Sequence, residues 1–113
     1  MSLNIVEVTQ DFALTGQIEP QDVAELAARG FKSIINNRPD GEGGASQPTS
    51  EELEREALRH GMHYAHLPVA KPELAAGSVD EFARLFEDAP KPVIAFCRTG
   101  ARAQALFQAL AAR

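Results

Sequence analysis

The stretch Pro92-Val93-Ile94-Ala95-Phe96-Cys97-Arg98-Thr99-Gly100-Ala101-Arg102 decides the fold. Its first half is an unbroken apolar run, which predicts a buried, central strand from Val93 to Cys97. Arg98-Thr99-Gly100 then reads as a tight loop. Ala101 to Ala112 reads as a helix, with Leu106, Phe107 and Leu110 on its buried face. A strand that stops, turns and feeds a helix gathers unpaired backbone N–H groups at one point, together with the positive end of a helix dipole. Cys97 sits on that point and is the only cysteine among 113 residues. Arg98 and Arg102 add fixed positive charge. All of these favour thiolate over thiol, and the thiolate is the nucleophile. The same cradle, Arg98-Thr99-Gly100-Ala101, suits a bound anion. A free cysteine closing a strand also serves as a small buried hydrophobe. The turn, the two arginines and the following helix favour the reactive reading.

Outward from this stretch, strand and helix signals alternate. Ile5–Val8 and Phe12–Leu14 read as short strands around Thr9-Gln10-Asp11, a hairpin or edge feature. Pro20 opens a helix through Ala28 that Gly30 stops. Phe31–Asn36 reads as a strand. Arg38 to Pro48 is glycine-rich and polar, too long for a plain connector. Thr49 and Glu52 form a capping box for a helix to His60, and Ser78 and Glu81 predict a second one. Tyr64–Val69 reads as another strand. The order predicts an α/β three-layer sandwich, a mostly parallel central sheet flanked by helices, as a single domain over 1–113. Ligands of such sheets bind beyond the carboxyl ends of the strands. Three loops leave those ends: Asn37–Pro48, Pro68–Gly77 and Arg98–Gly100. The glycine-rich loop is therefore expected to face Cys97 across a shared cleft.

Composition narrows the function classes. The net charge of −5 gives no basic footprint for nucleic acid. No apolar run approaches a membrane span, and Met1-Ser2-Leu3-Asn4 shows no basic region leading into an apolar one, so neither a membrane partner nor a signal peptide is expected. A lone cysteine forms no internal disulfide, which fits a reducing cytoplasm. His60, His63 and His66 do not predict a metal site, because residues three apart on a strand face opposite sides. No cofactor is expected.

Cys97-Arg98-Thr99-Gly100-Ala101-Arg102 resembles the nucleophile loop of the cysteine-dependent, dual-specificity-like phosphatases. Together with Gly30–Glu42, Gln47-Pro48 and His66-Leu67-Pro68-Val69, it is similar to the bacterial phosphatase-like domain of the beta-lactamase-hydrolase-like proteins, a domain also linked to sulfur transfer. The resemblance implies a cysteine-phosphatase-like fold, Cys97 as nucleophile and Arg102 as anion-binding arginine. By analogy it also implies a sulfide-oxidising partner. Three features depart from the phosphatase pattern. Four residues, not five, separate Cys97 from Arg102, the spacing of rhodanese-type sulfurtransferases. The Pro68–Gly77 loop lacks the acid-supplying aspartate, leaving Glu73 there and Asp40 from the facing loop as candidates. Phe96 stands where a histidine is usual, and Ala103 follows the arginine in place of a hydroxyl residue.

These departures favour a sulfurtransferase that carries a Cys97 persulfide in the 97–102 loop, fed and discharged by small-molecule or protein sulfur donors and acceptors. The alternatives are a phosphatase acting on a phosphate ester through a Cys97 phospho-enzyme, and a non-catalytic module that binds anions or persulfides. Arg38 and His66 complete the expected cleft. Each has a plain reading too. Arg38-Pro39-Asp40-Gly41 is good turn chemistry in which Arg38 and Asp40 pair, His66 is a satisfied structural histidine, Arg98 points to solvent, and Glu42 faces solvent.

Overall fold

The computed structural model describes residues 3–113, so the reading of Met1 and Ser2 lies outside the described residues. Five strands, β1 Val6–Thr9, β2 Phe12–Thr15, β3 Ser33–Asn36, β4 His63–His66 and β5 Val93–Phe96, form one sheet in the order β1-β2-β5-β3-β4. The β1–β2 hairpin is antiparallel, and every other pairing is parallel. The apolar β5 lies at the centre between β2 and β3, as its composition demands.

Four helices cover the sheet: α1 Asp22–Ala28, α2 Ser50–Arg59, α3 Val79–Asp88 and α4 Ala101–Ala111. Strand side chains alternate between the faces. Ala13, Ile34, Ile94 and Phe96 pack with Val23, Leu26, Leu53 and Ala57 of α1 and α2. Phe12, Ile35, Val93 and Ala95 pack with Phe82, Ala103 and Leu106 of α3 and α4. This is the expected three-layer sandwich. Among the described residues, no helix is long and apolar enough to cross a membrane.

Several boundaries shift for physical reasons. The fourth strand closes at His66 because Pro68 carries no N–H, although Leu67 and Val69 still donate to Asn36 and Asn37 carbonyls at 2.8 and 3.0 Å. The first helix begins at Asp22, whose carboxylate accepts from the Glu19 amide at 2.7 Å; Pro20 belongs to the preceding turn. The first capping box forms as read, with Thr49 and Glu52 exchanging hydrogen bonds. The second does not. Ser78 ends a 3₁₀ turn over Pro72–Ser78 that runs straight into α3. Its φ of −112° and ψ of 5° lie outside the extended region from which a cap side chain reaches back.

Candidate active site

Strand β5 ends at Phe96 and delivers Cys97 to the carboxyl edge of the sheet. The chain then turns through Gly100, which has φ 97° and forms the N-terminal boundary of α4. A Cβ at position 100 would lie 3.1 Å from Leu14 Cδ1 and in a left-handed conformation, so the turn demands glycine. Gly100→Ala is expected to cost about 1–2 kcal/mol in urea unfolding, with further loss if Leu14 cannot shift.

This turn aims backbone amides at the sulfur. Gly100 N donates to Cys97 Sγ at 3.1 Å and Arg102 N donates at 3.3 Å. Cys97 is fully buried, and burial alone pushes its thiol up. The amides of Ala103, Arg102, Thr99 and Gly100 outweigh that effect and hold the thiol below its ordinary value. The sulfur is thus buried among donors as well as hydrocarbon, which is the arrangement a stable thiolate needs.

Arg102 occupies the first turn of α4, where a cation is disfavoured unless an anion faces it. The anion is Glu42. Arg102 Nη1 donates to Glu42 Oε2 at 2.8 Å and to the Val69 carbonyl at 2.9 Å, while Nη2 donates to Glu42 Oε1 at 2.8 Å. Arg38 adds a second cation, donating from Nε to the same Glu42 Oε1 at 2.8 Å and from Nη1 to Gln17 Oε1 at 2.9 Å. Hydrogen bonding to Arg102 is the largest influence on Glu42. Burial opposes it, Arg38 assists, and the carboxyl falls to about 2.

The three loops therefore do converge, with Glu42 from the first, Val69 from the second and Arg102 beside the third. Glu42 is exposed, as expected, but its carboxylate also bonds the two nearly buried arginines beneath it. Arg38 pairs with Glu42, not with Asp40. Asp40 instead accepts from the Ser50 amide at 2.8 Å, at the first turn of α2, where backbone donors are unpaired and a carboxylate is favoured. That bond engages Asp40 outside the cysteine loop. Glu73 is exposed on the 3₁₀ turn. His66 bonds the Arg38 carbonyl through Nε2 at 2.8 Å and so braces the Arg38 loop. Arg98 and Thr99 are exposed on the rim of the cysteine loop, and the Arg98 carbonyl accepts from Gln17 N at 3.2 Å. Among the described residues, no group of three or more His, Cys, Asp or Glu side chains is placed to hold a metal ion.

Residues 4–112 match the family model described as beta-lactamase hydrolase-like protein, phosphatase-like domain, and the chain belongs to that family. It is 35% identical over 105 residues to a beta-lactamase hydrolase-like protein of Agrobacterium fabrum, covering 93% of this chain and 24% of that protein. The chain thus spans about a quarter of the length of the curated relatives it matches. A crystal structure from Neisseria meningitidis, provisionally described as a phosphatase, is 32% identical and superposes with a TM-score of 0.83, covering 91% of this chain and 72% of that one. A Shewanella putrefaciens structure with a similarly provisional description is 23% identical with a TM-score of 0.72, over 92% of this chain and 64% of that one. The fold is that of the cysteine-dependent phosphatases.

Proposed function

We propose that this phosphatase-like domain transfers sulfane sulfur through a persulfide on Cys97. The observation that carries the reading is the state of the one carboxylate seated on Arg102. Glu42 is held at about 2 and stays ionised near neutrality, so it has no proton to give a leaving alkoxide. Asp40 is engaged at α2. While Glu42 stays on the arginines, a phosphate ester gains no proton from it, a contribution worth roughly 10²–10⁴-fold. Sulfur transfer needs no such acid, because the leaving thiolate is already a good leaving group.

The steps balance without a cofactor. The Cys97 thiolate attacks the outer sulfur of a donor R–S–SH. The new S–S bond forms on Sγ, the donor S–S bond breaks, and RSH leaves with the proton. Cys97–S–S⁻ remains, its terminal charge facing the loop amides and the Arg102 guanidinium. An acceptor thiolate R′S⁻ then takes the outer sulfur as R′–S–S⁻ and restores the Cys97 thiolate. Donor and acceptor are small thiols or protein thiols, and a sulfide-oxidising enzyme is a fitting source of the persulfide.

Phosphate-ester hydrolysis is the second reading, favoured by the family description and by the Neisseria neighbour. One experiment separates the two. After incubation with glutathione persulfide, intact-mass analysis is expected to show an adduct of about 32 Da on Cys97 that a thiol acceptor removes. No adduct, together with aryl-phosphate hydrolysis that Asp40→Asn or Glu73→Gln abolishes, would establish the phosphatase instead.

A further inference from the structure

The guanidinium that should greet a substrate anion is already occupied by an anion of the chain itself. Glu42 takes both Nη groups of Arg102 and the Nε of Arg38. Val69 and Gln17 accept further donors of the same two arginines. Both arginine side chains are nearly buried, at 8% and 9% exposure, while Glu42 keeps 30%. The carboxylate thus lies on their solvent side. Its loop passes so close to Arg38 that a Cβ on Gly43 would sit 2.8 Å from the guanidinium.

Much of the charge at this site is balanced before any substrate arrives. Arg38 and Arg102 contribute two positive charges, Glu42 cancels one of them, and ionisation of Cys97 would cancel the other. An organic persulfide adds one negative charge or none. A phosphate monoester or thiosulfate adds two, and in a poorly hydrated site each surplus like charge is costly. To reach the Nη groups of Arg102, such a dianion must also displace Glu42.

We propose that Glu42 is a specificity-determining residue, its carboxylate admitting neutral or singly charged sulfane-sulfur donors, organic persulfides, while turning away dianionic donors and esters. The proposal rests on the sulfur-transfer reading for its donor class, but its charge filter can be read without turnover.

The test uses the wild-type chain, Glu42→Gln and Glu42→Asp. Cysteine persulfide, whose carboxylate, ammonium and perthiolate sum to a single negative charge, is expected to charge wild-type Cys97 at least about tenfold faster than thiosulfate. In Glu42→Gln, thiosulfate charging is expected to rise about tenfold, and inorganic phosphate should protect Cys97 from iodoacetamide at about tenfold lower concentration. The ratio of persulfide charging to thiosulfate charging is therefore expected to fall about tenfold in Glu42→Gln, whatever the persulfide rate itself does. Glu42→Asp retains the charge and should retain the discrimination, which separates a charge effect from a disturbed loop. Equal loss of both donors in Glu42→Gln, or unchanged phosphate protection, would overturn the filter. If neither donor charges the wild type, sulfur transfer itself fails, and the phosphate-protection arm still decides the role of Glu42.

Discussion

Cys97→Ser is expected to bring sulfur transfer down to the uncatalysed background, a loss of about 10³-fold or more. The fold should survive, because a serine hydroxyl fits the space of the thiol and can accept from Gly100 and Arg102. What disappears is the anion. In the wild type the loop amides hold the thiol below its ordinary value. The alkylation rate of Cys97 should therefore stay high to lower pH than that of a free thiol. Stability carries the same signature. Between the native pKa and the ordinary thiol value, the unfolded chain holds a proton that the native thiolate has released, so stability rises with pH through that window. Below the native pKa this contribution is gone. Cys97→Ser should flatten that slope in urea unfolding measured from neutral to mildly alkaline pH. A wild-type slope identical to that of the serine variant would mean that the native sulfur is a neutral thiol, and the nucleophile would then need activation by the substrate.

The fold was legible because its central elements carry strong, independent signals. Val93–Phe96 is apolar at every position, and the structure buries every position. Phe12–Thr15 and Ser33–Asn36 flank it and are equally buried. The Cys97 loop was legible because Gly100 fixes the turn and α4 supplies the amides. The pairing of Glu42 with the two arginines was not legible, for a different reason. An exposed glycine-rich loop has no periodicity, and its side chains find partners only through tertiary contact. One signal pointed to it nonetheless. Arg102 stands in the first turn of a helix, a position that calls for a nearby anion. That anion could be an external ligand or a carboxylate of the chain, and the sequence does not choose between them. The partner of Asp40 was hidden for a similar reason. The position of Asp40 in the loop suggested the cleft, and its carboxylate accepts from an amide at the start of α2, where backbone donors are unpaired.

Arg102→Ala is expected to lower sulfur transfer by about 10²–10³-fold, the scale of losing one preorganised donor group beside a developing charge. Two further shifts should accompany it. The Cys97 thiol loses a neighbouring cation and should titrate at higher pH, so its alkylation profile moves to the alkaline side. Glu42 loses its main hydrogen-bond partner and should climb from about 2 toward its ordinary 4.5. The sign of the second effect follows from linkage. A carboxyl depressed in the native state stabilises the fold above its unfolded pKa and loses that contribution as pH falls through the native value. In the wild type this loss spans about 4.5 down to about 2. In Arg102→Ala the contribution is smaller from the outset, and its lower limit rises. Arg102→Lys divides the two roles. An ammonium restores charge near the sulfur but not the two-pronged grip on Glu42 and the bond to Val69, because a lysine offers a point charge where arginine offers a planar fork. The lysine variant should therefore recover most of the thiol shift while leaving Glu42 loosely held, with transfer only partly restored. Should Arg102→Ala leave the alkylation profile where it was, the guanidinium would have no hold on the sulfur, and its service would be confined to anchoring the Glu42 loop.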